Sequence, residues 1–250
     1  MSRAPVTLIL HGPMRLALPE GAAALRYAKG RALLAYLALH LDQWVARRTV
    51  AALLWPALDE PRALTNLRQV LAPLQRTLGA DGADLGLRAE RERLMLAAHP
   101  GLFIDTALLM APCPDLSDEA GQARLEALLP APGQPFLADL CLPECPDFED
   151  WRAQLAAQLR ERHRGLLRAL CEAQEASGRL AAAVQSARQV LTLDPLDEAA
   201  AARLMQLLLQ AGDRRAAEQV LADTDQLLVR QLGHRAGAGL RRLLEVEPAG

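Results

Sequence analysis

The stretch "RALTNLRQVLAPLQRTLG", residues 62–79, decides the fold. Leu64, Leu67, Leu71, Leu74 and Leu78 recur every three or four positions, so they share one face of a helix and pack inward. Asp59 or Glu60 followed by Pro61 is a fitting start, because proline is well placed in a first helical turn. Gly79 ends it. The other face carries Arg62, Thr65, Asn66, Arg68, Gln69 and Arg76. Pro73 lies inside the run. It has no amide hydrogen and clashes with the preceding turn, a cost of about 3 kcal/mol in a helix interior, so a kink is expected near Gln69.

The flanking segments give this helix its context. "TVAALLW" (49–55) is a shorter helix that Pro56 stops. Before it, Leu33, Leu34, Leu37 and Leu41 mark an amphipathic helix that opens after Gly30. "VTLILHGPMRLAL" (6–18) reads as two strands around Gly12-Pro13, and "LRYA" (25–28) as a third. Downstream, "ADGADLGLRAERERLMLA" (80–97) reads as turn, strand, charged turn and strand, and "GLFID" (101–105) adds one more. Strands, three helices and a hairpin follow the order of a winged helix-turn-helix, with 49–55 and 62–78 as the helix-turn-helix itself.

The remainder is almost wholly helical. A proline-rich break, "PAPGQPF" (130–136), precedes a long helix from about Phe148 to Ser177. Phe148 and Trp151, scarce aromatics, are expected to anchor this linker against the helical core. At an offset of 34 residues, Leu170 aligns with Leu204, Gly178 with Gly212, Ala182 with Ala216, Ala183 with Ala217 and Leu193 with Leu227. That is the tetratricopeptide period, one helical hairpin per repeat, although the usual Trp and Tyr of that repeat are absent. The fold class is therefore mostly α: a winged helix-turn-helix domain at 1–102, then a tetratricopeptide-like helical domain at 103–246.

Composition narrows the function. The chain has 250 residues and a net charge of −2. Residues 1–110 hold 13 basic and 9 acidic side chains, whereas residues 111–250 hold 15 and 21. The first half tolerates an anion better than the second. Cys113, Cys141, Cys145 and Cys171 form no C-x-x-C pair and have no histidine at metal spacing, so no metal or other cofactor is expected. There is no Walker A loop, G-x-G-x-x-G, H-E-x-x-H or G-x-S-x-G turn, so the expectation is a protein that is not an enzyme. No apolar run reaches membrane length and no signal pattern opens the chain, which reads as cytoplasmic and reduced, with no membrane partner.

Five segments in order resemble the bacterial transcriptional activators typified by the Streptomyces antibiotic regulatory proteins. They are "GRALLAYLALHLDQWVARRTVAALLWP" (30–56), the 62–79 helix, "PFLADLCLPECPDFEDWRAQL" (135–155), "LDPLDEAAAARLMQLLLQAGDRRAA" (193–217) and "LVRQLGHRAGAGLRRLL" (228–244). The resemblance implies an N-terminal domain like the DNA-binding domain of OmpR-type response regulators. It also implies a bacterial transcriptional activator domain that serves activation and self-association. The implied partners are double-stranded DNA, a second copy of the chain, and RNA polymerase or another protein at the helical domain. No receiver domain is read in the sequence, so phosphorylation control is not implied.

On this reading Thr65, Asn66 and Gln69 approach base edges, since Asn and Gln pair bidentately with adenine. Arg62, Arg68 and Arg76 suit phosphates, which position without specifying. Arg47 and Arg48 hold a phosphate at a helix N-terminus. Arg88, Arg91 and Arg93 form a wing for the minor groove. Three features pull the other way. Besides Pro73, Gln75 stands where family members usually carry Arg, and Ala46 stands where a capping Ser is common, a loss of about 1 kcal/mol. Glu90 and Glu92 also interrupt the wing. A protein-interaction and dimerisation module that has lost strong DNA binding remains open. So does the N-terminal part of a larger signalling protein, since "EVEPAG" (245–250) reads as the start of a linker.

Overall fold

A computed structural model describes residues 6–18, 21–23, 25, 27–79 and 86–245. In chain order the first elements are β1 (Val6–Ile9), β2 (Arg15–Leu18), β3 (Gly21–Ala23), α1 (Ala28–Leu39), β4 (Val45–Ala46), α2 (Arg47–Leu54) and α3 (Glu60–Gly79). Then come β5 (Leu87–Ala89), β6 (Arg93–Leu96), β7 (Leu102–Ile104) and α4 (Asp105–Met110). The remaining helices are α5 (Glu119–Leu128), α6 (Pro146–Ala176), α7 (Leu180–Leu193), α8 (Glu198–Gln210), α9 (Arg214–Leu232) and α10 (Ala238–Glu245). The fold is mostly helical, a winged helix-turn-helix followed by helical repeats. No helix among the described residues is long and apolar enough to cross a membrane.

The chain divides into two compact units. The first comprises Met1–Ala111 and Gln134–Leu159, the second Pro112–Gly133 and Arg160–Gly250. In the first, a four-stranded sheet has the order β3-β2-β1-β7, with β1 antiparallel to β2 and parallel to β7. The third strand lies earlier than the expected 25–28. The Tyr27 carbonyl already accepts from the Gly30 and Arg31 amides, so this segment leads into α1. Asp105 fastens the parallel pairing. Its buried carboxylate accepts from the amides of Leu10 at 2.9 Å and His11 at 2.8 Å, where β1 ends. The core beneath is leucine: Leu8, Leu33, Leu37, Leu54, Leu67 and Leu94 are fully buried.

Residues 134–151 return to this same unit. Leu137 donates its amide to Leu10, and Gly12 donates to Pro135, which extends the β1–β2 turn. Phe148 and Trp151 were expected to anchor against the helical core, but their aromatic partners lie in the first unit. Trp151 packs on Phe148 at 5.3 Å, on Phe136 at 6.3 Å and on Tyr36 of α1 at 5.0 Å. The reason is supply: the leucine- and alanine-filled repeats offer no aromatic surface, whereas α1 presents Tyr36 stacked on His40.

In the second unit the hairpins repeat down to individual hydrogen bonds. Gly178 donates to Glu175 and Arg179 to Gln174; 34 residues on, Gly212 donates to Leu209 and Asp213 to Leu208. Both glycines take positive φ, +75° and +77°, the left-handed closure that ends a helix and that glycine adopts without strain. Leu170 and Leu204 are both buried, as are Ala183 and Ala217. Asp197 and Asp213 cap α8 and α9 by accepting from Ala200 and Ala216.

Candidate nucleic-acid interface

The helix-turn-helix is held from within. Val50, Ala51 and Leu54 of α2 are buried, and so is Trp55 in the turn. Asp59 opens α3 as its cap, its carboxylate accepting from the Arg62 amide at 3.1 Å. Helix α3 runs unbroken from Glu60 to Gly79 with Pro73 inside it. Its inner face differs from the all-leucine stripe. Ala63, Leu67, Val70, Leu71 and Leu74 are buried, while Leu64 is half-buried. The side chain of Leu78 lies outside the described residues. Packing selected the neighbours of Leu67 that fit against α1 and α2 rather than the largest side chains.

That rotation sets what α3 shows to solvent. At about 100° per residue, Thr65 and Arg76 occupy the centre of the outer face. Arg68 lies on one flank; Gln69 and then Asn66 lie toward the other. Thr65, Arg68, Gln69 and Arg76 are exposed, and Asn66 is half-buried. The Thr65 hydroxyl donates to the Pro61 carbonyl at 2.9 Å, which leaves its oxygen as an outward acceptor. Arg62 is exposed and lies 3.7 Å from Asp59, a loose contact in full solvent that contributes little.

The N-terminus of α2 meets the wing. Ala46 provides no side-chain cap; instead the wing does part of that work, because the Arg47 amide donates to the Glu92 carbonyl at 2.8 Å. The Arg47 side chain is half-buried beside Arg68, and its Nε is buried without a hydrogen-bond partner. Burial first, and then the Arg68 charge, push the Arg47 guanidinium below its ordinary value. It stays charged at neutral pH, since a guanidinium gives up its proton only in strongly basic solution. Two cations thus face each other at a helix N-terminus, itself the positive end of a dipole. Arg48 is exposed on the same turn.

The wing is a three-stranded sheet in the order β4-β6-β5. A tight turn, closed by the Glu90 amide on the Arg93 carbonyl, puts Arg91 and Glu92 at its tip. Arg88 and Arg91 are exposed. Arg93 is committed to the wing itself. It pairs with Glu90 at 2.7 Å and lies 4.2 Å above the Trp44 ring. Trp44 and the Glu92 carbonyl are the two site-building groups that sequence reasoning missed. An exposed Trp immediately before the second helix was the available signal for the first.

Ion pairs occur in both units, but few of them engage the arginines of the helix-turn-helix and wing. In the helical repeats Arg164 pairs with Asp194, Arg168 with Asp197, and Arg203 with Glu175. Among the described residues, Arg47, Arg48, Arg68, Arg76, Arg88 and Arg91 have no such acid. The structure brings Arg47, Arg68 and the wing turn together; Arg62 and Arg76 stand apart at the two ends of α3.

Comparison with known proteins agrees with this architecture. The structure of Mycobacterium tuberculosis EmbR in complex with a low-affinity phosphopeptide is similar, with a TM-score of 0.65 and 20% identity. The match covers 96% of this chain and 64% of that one. No curated protein sequence matches. The bacterial transcriptional activator domain family matches residues 133–246, a span that begins where the chain returns to its first unit and closes after α10. The chain therefore carries, over residues 133–246, a bacterial transcriptional activator domain.

Proposed function

We propose that this protein is a cytoplasmic transcriptional activator that binds promoter DNA through an OmpR-like winged helix, residues 1–102. The tetratricopeptide-like domain, residues 103–246, supplies self-association and a surface for RNA polymerase or another protein. The observation that carries the reading is the Arg47–Arg68 pair: two adjacent cations, one with a buried unpartnered donor, at the N-terminus of α2. An isolated protein gains nothing from such repulsion, and a phosphate relieves it. On this reading exposed Thr65 and Gln69 contact base edges, and exposed Arg76, Arg88 and Arg91 contact the backbone. Arg62, Arg48 and Asn66 stand at the margins of this surface, and Arg93 shapes the wing.

The test is fluorescence anisotropy on promoter fragments across a salt series. The expected result is binding that weakens steeply with salt through counterion release. Arg47→Gln/Arg68→Gln should lower the salt slope by about two, one for each lost phosphate contact. Arg215→Gln, exposed on α9, should leave it unchanged. Absence of binding above that of an unrelated acidic protein at low salt overturns the reading and leaves the winged helix as a scaffold for protein partners.

A further inference from the structure

The flank of α3 opposite Arg68 borders a cleft of about 510 Å³. Helix α3 contributes Asn66, Gln69, Pro73 and Thr77; Leu25 and Tyr27 face them from the segment before α1. Val70 and Leu74, both buried, add apolar wall. The volume falls in the range of small-molecule sites, roughly 300–1,000 Å³, which pair an apolar lining with a few polar groups. No charged side chain lines it among the described residues.

Pro73 gives the cleft its chemistry. A proline has no amide hydrogen, so the Gln69 carbonyl one turn earlier lacks the donor that a helix normally supplies. Gln69 and Pro73 both border the cleft. The residue whose carbonyl lacks its helical donor therefore borders a mainly apolar recess, which a second carboxamide residue, Asn66, and Thr77 also line. Tyr27 is 54% exposed, which leaves its ring a face for stacking.

We propose that this cleft binds a small planar molecule bearing an N–H donor, which pairs with the Gln69 carbonyl and stacks on Tyr27. Asn66 and Gln69 belong both to the cleft and to the edge of the outer face of α3. An occupant that engages their side chains withdraws them from base edges, so occupancy weakens DNA binding, and DNA weakens occupancy by the same factor. This coupling rests on the DNA-binding reading above; the cleft itself does not.

Indole is the probe, followed by saturation-transfer NMR on the full chain. Indole should bind the wild type at millimolar concentration, and 1-methylindole, which lacks the N–H, at least fivefold more weakly. Pro73→Ala returns an amide to the Gln69 carbonyl and removes a helix-breaking ring, so it folds; it should weaken indole at least fivefold. Saturating indole should lower promoter affinity at least threefold. No saturation transfer from the wild type, or equal binding by Pro73→Ala, overturns the site. Indole binding with this Pro73 dependence but no effect on promoter affinity overturns the coupling alone. Indole binding by a chain that binds no DNA supports the cleft and overturns the DNA-binding reading.

Discussion

Arg31 on α1 and Asp139, 108 residues later, meet at 2.6 Å. Asp139 also accepts the Met14 amide at 2.9 Å, so one carboxylate ties α1, the β1–β2 turn and the returning chain together. Burial pushes this carboxyl up, but the Met14 amide and the Arg31 hydrogen bond and charge outweigh it, and the group titrates below its ordinary range. A depressed folded value means stability that is full above the unfolded pKa of about 3.9 and is lost as pH falls through the folded value. Asp139→Asn should cost about 1–2 kcal/mol at neutral pH. Urea unfolding across pH should show the gap to wild type closing below about pH 4. A gap that persists unchanged to pH 2 would sink this account.

The Arg47–Arg68 repulsion should be visible without DNA. Arg68→Gln should stabilise the protein at low salt by a few tenths to about 1 kcal/mol, since a partly exposed like-charge pair is worth no more. Near 1 M salt, where screening acts over about 3 Å, the gain should vanish. Denaturation at two ionic strengths measures both.

The wing depends on Gly86. Its φ of +73° is left-handed, and an added Cβ would lie 2.5 Å from the Ala97 carbonyl oxygen, a backbone atom that cannot rotate away. Gly86→Ala should therefore cost about 1–3 kcal/mol and weaken DNA binding by misplacing Arg88 and Arg91. A variant with wild-type melting and affinity would show that the turn relaxes freely.

Residues 134–159 should be needed for the winged helix to fold well. Phe148 is fully buried within the first unit. Phe148→Ala should cost about 3–5 kcal/mol, with hydrogen exchange rising in α1 as well as at the start of α6. A fragment ending at residue 111 should melt well below one ending at 159. Equal melting temperatures would contradict this division.

Thiol reactivity should divide by burial. Cys113 and Cys141 are exposed; Cys145 and Cys171 are buried and donate to the Leu54 and Ala183 carbonyls. Burial pushes both buried thiols up, which lowers their reactive thiolate fraction. Ellman titration should show two fast thiols in the native protein and two more on unfolding.

The helices were legible because their signal is local. The period of α3, the Asp59 start and the glycine stops at 178 and 212 can all be read within a few residues, whereas α1, expected to be amphipathic through Leu41, ends at Leu39 and is buried on nearly every side. Long-range pairings leave no such trace. Nothing in "GLFID" says that β7 lies beside β1, nor in "PFLAD" that Leu137 will donate to Leu10. The two-residue β4 is too short for any alternation to show. Within the candidate interface, residue types were readable but orientation was not. Half-burial of Asn66 follows from Ala63 and Val70 turning inward, a choice made by packing. Ala46 was legible as a missing cap, whereas its replacement by a carbonyl from the wing was not.

The paired turns at Gly178 and Gly212 carry a consequence for how this chain can change in length. Because the closing bonds recur at the same offset, a cut after Ser177 rejoined at Gly212 restores the same turn with one hairpin fewer. A tandem copy of the intervening residues would restore it with one more. Each hairpin contacts chiefly its neighbours, so such edits keep their effects local. An insertion between Gln174 and Arg179, or between Leu208 and Asp213, separates the partners and breaks the closing bonds of that turn. Whole hairpins can thus be gained or lost in this half of the molecule with both turns kept.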